Sequence, residues 1–132
     1  MGAVPAHIRE IHHQREPERF HRPLLVAHLG RPREREPSLS LRPVATRLAQ
    51  LLGEEVAFAP DLEHVPDGDV VMLENIRFEV GETDNDPALA ARLGALADVY
   101  VNDAFGSAHR ANASTVGVAD HVARSAAGRL FE

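Results

Sequence analysis

The sequence lacks cysteine and lysine altogether, and no apolar run approaches the roughly 20 residues of a membrane helix. Without cysteine, disulfides and thiolate zinc sites are excluded. Without lysine, a phosphate-binding loop of the Gly-Lys-Ser/Thr type is also excluded, so arginine, histidine or backbone N–H groups must hold any oxyanion. Pro5 and charged residues follow Met1–Val4, where a signal peptide would have an apolar core. We therefore expect a soluble, cytoplasmic protein with no membrane partner.

Length and charge narrow the class of protein further. A chain of 132 residues suits one domain, and its 44% hydrophobic and 26% charged residues are typical of a globular protein. The formal net charge of −6 argues against a general nucleic-acid binder, which needs a basic surface. We expect a folded domain with no nucleic-acid partner.

Four short apolar runs predict β-strands. They are Leu24–Ala27, Val56–Phe58, Val70–Leu73 and Val99–Val101. Apolar runs without alternation are typical of strands that are buried on both faces, as in a parallel sheet.

Two segments between these runs have the 3.6-residue spacing of amphipathic helices. Their apolar positions are Leu41, Val44, Leu48, Leu51 and Leu52 in the first, and Leu89, Leu93 and Leu96 in the second. Ser40 and Gly53 are predicted to cap the first helix, and Asp86 is predicted to cap the second, with Pro87 at its first position. Alternating strands and helices predict an α/β fold, a Rossmann-like parallel sheet with flanking helices.

The loops that follow three of the strands each carry one arginine, namely Arg31, Arg77 and Arg110. Two of these loops also carry a histidine, His28 and His109. If the strands are parallel, all three loops lie at the same edge of the sheet, where open α/β sheets bind ligands. Arginine forks suit carboxylate and phosphate oxygens, so the pattern predicts a site for a small anion. The alternative is that each arginine is simply solvated, as single loop arginines usually are.

Other polar residues give weaker signals. Glu74 and Asp103 follow strands beside the arginines, and we expect them to orient these arginines rather than to act as acid or base. Four histidines near the start, His7, His12, His13 and His21, lack a clear metal-ligand spacing, so a metal site is not expected. His64 and His121 are expected at the surface without a partner.

Three longer runs carry a resemblance to a known family. Ala27–Pro32, Leu73–Phe78 and Asp98–Ala111 resemble signature runs of phosphoglycerate kinase, in the family's order and approximate spacing. Ser114–Val118 continues the similarity, which covers roughly residues 23–132. Because three long motifs occur in sequence, the resemblance is highly specific.

The resemblance implies a kinase of glycolysis, which transfers a phosphoryl group between 1,3-bisphosphoglycerate and ADP to give 3-phosphoglycerate and ATP. By motif match, His28, Arg31, Arg77 and Arg110 would bind the phosphoglycerate, and Arg110 would lie near the reacting group as a catalytic residue. In the family, Mg-ATP or ADP binds a carboxyl-terminal domain with glycine-rich loops and a lysine. We expect that nucleotide domain to be absent from these 132 residues.

Residues 1–22 do not resemble the family's opening strand. That strand ends in an Arg-Val-Asp-Phe-Asn-like run, and Arg9 is only a weak candidate for a further family arginine. We therefore expect a poorly matched His/Arg-rich segment over residues 1–22 and a partial phosphoglycerate-binding domain over residues 23–132. Such a fragment is expected to be inactive alone. The alternatives are a non-catalytic anion-binding module, an inactive gene remnant, or a subunit completed in trans by a nucleotide domain.

Overall fold

The computed structural model describes residues 22–107 and 109–131. Within them the chain forms two compact units: residues 22–29 and 36–75 belong to the first, and residues 30–35 and 76–131 belong to the second. The amino-terminal histidines at positions 7, 12, 13 and 21, and Arg9, lie outside the described residues.

A three-stranded parallel sheet forms the centre of the first unit. Strands β1 (Leu24–Leu25), β2 (Ala57–Ala59) and β3 (Val71–Leu73) lie in the order β1-β3-β2. Both outer strands pair in parallel with β3, whose three residues are all buried. The predicted strands are confirmed here, although β1 is shorter than predicted and β2 begins one residue later.

Helix α1 (Arg42–Leu52) packs on this sheet through one face. Leu41, Ala45 and Leu48 form a buried cluster with Met72 of the central strand. The helix ends at Gly53, whose φ of 66° lies in the left-handed region that favours glycine, as predicted. Leu51 does not join the buried face and is 67% exposed.

The start of α1 is capped differently from the prediction. Ser40 Oγ accepts a hydrogen bond from Arg42 N–H (3.2 Å), but Leu41 is the residue at the cap position. The carboxylate of Glu74 accepts hydrogen bonds from Leu41 N–H (2.7 Å) and from the Ser40 hydroxyl (2.6 Å). A carboxylate at a helix N-terminus compensates the positive end of the helix dipole. The prediction that Glu74 orients an arginine is therefore wrong.

The second unit contains helix α2 (Pro87–Gly94) and two parallel strands, β4 (Val99–Asn102) and β5 (Arg124–Ala127). Asp86 caps α2 by accepting a hydrogen bond from Leu89 N–H (3.1 Å), and Pro87 is the first helical residue, so both predictions are confirmed. Short 3₁₀ helices are Pro37–Leu39, Ile76–Phe78, Phe105–Ser107, Gly117–His121 and Arg129–Phe131. In neither described range is any helix long and apolar enough to cross a bilayer.

Strand β4 departs from the sequence prediction. It pairs with β5 in a separate two-stranded sheet, and not with the three strands of the first unit. Val99 and Val101 are 48% and 39% exposed, whereas Tyr100 and Asn102 on the other face are half-buried. The prediction of a strand buried on both faces is therefore wrong for Val99–Val101, because its apolar run spans an exposed and a half-buried face.

Candidate functional site

A cavity of about 300 Å³ lies within the second unit and brings the three predicted arginines together. Its lining residues are Arg31, Pro32, Arg77, Glu79, Glu82, Thr83 and Arg110. A cavity of this size suits a small ligand.

Local turns and backbone hydrogen bonds position each arginine at the cavity. Arg31 follows Gly30, whose φ of 68° is left-handed. Arg77 lies in the 3₁₀ turn Ile76–Phe78 and donates from Nη1 to the Gly30 carbonyl oxygen (2.9 Å). Arg110 N–H donates to the Ser107 carbonyl oxygen (3.0 Å). The bond from Arg77 to Gly30 thus ties the loop that carries Arg31 to the turn that carries Arg77.

The positive charges of Arg31 and Arg110 act on the guanidinium group of Arg77. Burial lowers the pKa of Arg77 most, followed by the positive charges of Arg110 and Arg31, while Glu82 opposes the shift. An arginine stays protonated at neutral pH even so. Because the like charges are held together by the fold, a bound anion would relieve their repulsion, and the cavity favours anionic ligands.

Two glutamates, Glu79 and Glu82, line the same cavity but have different hydrogen-bond partners. Glu79 accepts a hydrogen bond from Arg35 (2.9 Å), whose guanidinium also lies 5.8 Å from the centre of the Phe78 ring. Glu82 is only 2% exposed, and its carboxylate accepts hydrogen bonds from the Ser114 N–H (3.1 Å) and the Ser114 hydroxyl. Burial raises the pKa of Glu82, and the bonds from Ser114 partly offset that rise.

Sequence reasoning did not single out Glu82. The residue lies in a polar stretch between the turn at Ile76–Phe78 and helix α2, and nothing in that stretch indicates burial. The half-buried Tyr100 is affected by Glu82: burial and then the charge of Glu82 raise the pKa of Tyr100 to about 12. The Tyr100 hydroxyl donates to the Ser114 carbonyl oxygen (2.8 Å).

The remaining predicted residues lie elsewhere. His28 is exposed and belongs to the first unit, and His109 is an exposed neighbour of Arg110 in the second. The carboxylate of Asp103 accepts a hydrogen bond from Leu130 N–H (2.9 Å), so the prediction that it orients an arginine is wrong.

The prediction for His64 also needs correction, whereas His121 is exposed as expected. His64 Nδ1 lies 2.7 Å from Asp61 Oδ1, so His64 has a partner. The hydrogen bond with His64 is the main cause that lowers the pKa of the Asp61 carboxyl.

Parallel strands, flanking helices and an arginine-lined cavity together define an α/β protein with a candidate site for a small anion. The family model described as phosphoglycerate kinase matches residues 5–132. The chain belongs to the phosphoglycerate kinase family, as the resemblance predicted.

Individual relatives agree with this assignment. The chain is 53% identical to the phosphoglycerate kinase of Thermosipho africanus, covering 83% of this chain and 29% of the relative. It is 50% identical to the cytosolic phosphoglycerate kinase 3 of Arabidopsis thaliana, covering 84% of this chain and 30% of the relative. The chain therefore spans only about 30% of the length of these relatives.

Solved structures confirm the predicted fold class of parallel sheets with flanking helices. Phosphoglycerate kinase from Coxiella burnetii superposes with a TM-score of 0.75 at 42% identity, covering 82% of this chain and 29% of that one. The enzyme from Pyrococcus horikoshii OT3 gives a TM-score of 0.66 at 27% identity, covering 82% and 30%.

Proposed function

We propose that this chain supplies the 3-phosphoglycerate-binding side of a phosphoglycerate kinase. The whole enzyme would transfer a phosphoryl group between 1,3-bisphosphoglycerate and ADP, giving 3-phosphoglycerate and ATP. The observation that carries the proposal is that Arg31, Arg77 and Arg110 line one cavity. The ligand has a carboxylate at one end and a phosphate at the other, and each matches the two parallel donors of a guanidinium fork.

The proposed roles differ among these residues. Arg31 and Arg77 bind the ligand, and the bond from Arg77 to the Gly30 carbonyl oxygen fixes the loop of Arg31 in place. Arg110 lies near the reacting group, and His28 is a fourth ligand on the motif match alone. Phosphoryl transfer depends mainly on positioning and charge neutralisation, which fixed guanidinium groups provide without a covalent step.

The nucleotide is proposed to bind a separate domain. Within residues 22–107 and 109–131, no group of three His, Asp or Glu side chains is placed to hold a metal ion. We assign Mg-ATP and ADP to the nucleotide domain that the family resemblance implies, supplied in the same polypeptide or in trans. A cytosolic location is proposed from the name of the Arabidopsis relative.

Titration of the purified chain with 3-phosphoglycerate tests the proposed binding function. We expect saturable heat release in calorimetry, together with a higher melting temperature. At a ligand concentration 100-fold above Kd, binding adds about 2.7 kcal/mol of stability. For a chain of this size that gain raises the melting temperature by roughly 10 °C.

Glycerol, which lacks both anionic groups, is the matched control and should leave the melting temperature unchanged. Binding of inorganic phosphate with the same affinity would favour a general anion-binding module instead. The absence of both heat release and a melting shift would contradict the proposal.

A second expectation concerns turnover. The 132-residue chain alone should show no ATP-dependent turnover above background in a coupled assay, because no nucleotide is brought to the phosphoglycerate. The same assay is then repeated after adding the purified nucleotide domain of a relative to the chain. Turnover by the chain alone would show that the nucleotide site lies within these residues.

A further inference from the structure

Glu82 is the only charged side chain among the buried residues of the described ranges. It lines a cavity whose other charges include three arginines. A buried carboxylate is costly unless its hydrogen bonds are satisfied, and a negative charge in this cavity opposes the binding of an anion. Affinity for an anionic ligand therefore does not explain why a glutamate is buried at position 82.

The long-range hydrogen bonds of Glu82 lead to one segment. Its carboxylate accepts from both the N–H and the hydroxyl of Ser114, and its carbonyl oxygen accepts from Ala113 N–H (2.9 Å). Both partners lie about 30 residues away in sequence, so these bonds fix a long-range contact. Glu82 thereby anchors the chain immediately after Arg110.

Internal hydrogen bonds connect this anchor to Arg110. The Arg110 carbonyl oxygen accepts from the Thr115 hydroxyl (2.8 Å) and from Asn112 N–H (3.1 Å). The Thr115 hydroxyl oxygen also accepts from Asn112 N–H (3.1 Å). Residues 110–115 form a closed loop, and Arg110 itself is exposed, so its backbone depends on this loop for a fixed position.

We propose that Glu82 is a positioning residue, whose carboxylate holds residues 110–115 so that the Arg110 side chain faces the cavity. The inference rests on the proposed 3-phosphoglycerate site and assigns that site a residue that does not itself need to touch the ligand. Glu82 also faces Arg77, Arg31 and Tyr100, so its charge and its hydrogen bonds must be separated by experiment.

Two substitutions make that separation. Glu82→Ala removes the charge and both carboxylate bonds to Ser114 but keeps the backbone bond from Ala113 N–H, and we expect 3-phosphoglycerate binding to weaken about 10-fold or more. Glu82→Gln removes the charge but keeps both bonds to Ser114. The amide oxygen can accept from Ser114 N–H, and the amide N–H₂ can donate to the Ser114 hydroxyl oxygen. We expect its affinity to stay within about 3-fold of the unmodified chain. If both variants weaken binding equally, the charge matters and the positioning role is wrong.

A double-mutant cycle with Arg110→Gln tests whether Glu82 acts through Arg110. In the Arg110→Gln background, Glu82→Ala should change affinity by less than about 2-fold, because the side chain that it positions is already gone. Asp86→Ala is the matched control: it removes the α2 cap in the same unit without touching the cavity, and should leave affinity within about 2-fold in both backgrounds. An equal loss for Glu82→Ala in both backgrounds would overturn the inference.

Hydrogen exchange without ligand separates this inference from the proposed function. In Glu82→Ala, the Asn112 amide, which reports on the Arg110 carbonyl, should exchange about 10-fold faster, while the Leu89 amide at the α2 cap is unchanged. If the unmodified chain fails to bind 3-phosphoglycerate, the proposed function fails, and the exchange rates still decide the role of Glu82. Unchanged exchange at Asn112 would overturn that role.

Discussion

Replacing Arg77 and Arg110 together with glutamine is expected to weaken 3-phosphoglycerate binding by at least about 100-fold. Both side chains line the cavity, and a hydrogen bond to a charged group contributes about 1.5–3 kcal/mol, or roughly 10- to 150-fold in affinity for each arginine. Arg77→Gln also removes the guanidinium that donates to the Gly30 carbonyl oxygen. Calorimetric titration of the single and double variants measures the effect directly.

The matched control changes two exposed arginines of the same unit, Arg92 and Arg124, to glutamine. Both pairs of substitutions change the formal net charge from −6 to −8, so the control matches the loss of charge. We expect the control to bind within about 2-fold of the unmodified chain, because neither arginine lines the cavity and salt screens exposed charges. A comparable loss in the control would mean that overall charge attracts the ligand, and full binding by Arg77→Gln/Arg110→Gln would exclude the cavity as the site.

The largest effect on stability is expected at Met72. Its side chain is 1% exposed on the central strand β3 and packs against Leu41, Ala45 and Leu48. Met72→Ala should lower the free energy of unfolding by about 2–5 kcal/mol, since truncation loses apolar burial and leaves a cavity. A domain has only about 5–15 kcal/mol in total, so much of its stability would be lost. Urea denaturation followed by circular dichroism measures the change.

Leu51→Ala provides the comparison within helix α1. Leu51 is 67% exposed, so its truncation should change the free energy of unfolding by no more than about 0.5 kcal/mol. Equal destabilisation by both substitutions would show that the face of α1 that bears Ala45 and Leu48 is not the packed one.

Local sequence patterns were enough to predict much of this fold. Apolar runs located β1, β2 and β3, and short-range rules located the caps at Asp86 and Gly53. Arg31, Arg77 and Arg110 line one cavity as predicted, but the reason given from a single sheet was wrong for Arg110, because β4 lies in a separate sheet. The strands and caps depend on neighbouring residues, and the placement of Arg31 and Arg77 follows a simple rule for the neighbouring parallel strands β1 and β3.

The missed features depend on contacts between distant residues. Strand β5 reads Arg-Ser-Ala-Ala, with neither β-branched nor aromatic residues, and it exists because it pairs with β4. Glu82 is buried because Ser114, far along the chain, satisfies its carboxylate. Glu74 caps a helix that begins more than 30 residues before it. No local pattern encodes such partners.

The absence of lysine has a chemical consequence for the arginine cavity. An acyl phosphate such as 1,3-bisphosphoglycerate is an acylating agent, and a neutral lysine amine is a nucleophile that forms covalent adducts. The cavity holds its positive charge on Arg31, Arg77 and Arg110, whose guanidinium groups stay protonated at neutral pH even where burial lowers the pKa of Arg77. Under the proposed function, the site would attract a reactive mixed anhydride without offering it an amine, and its cationic side chains would resist acylation by that ligand.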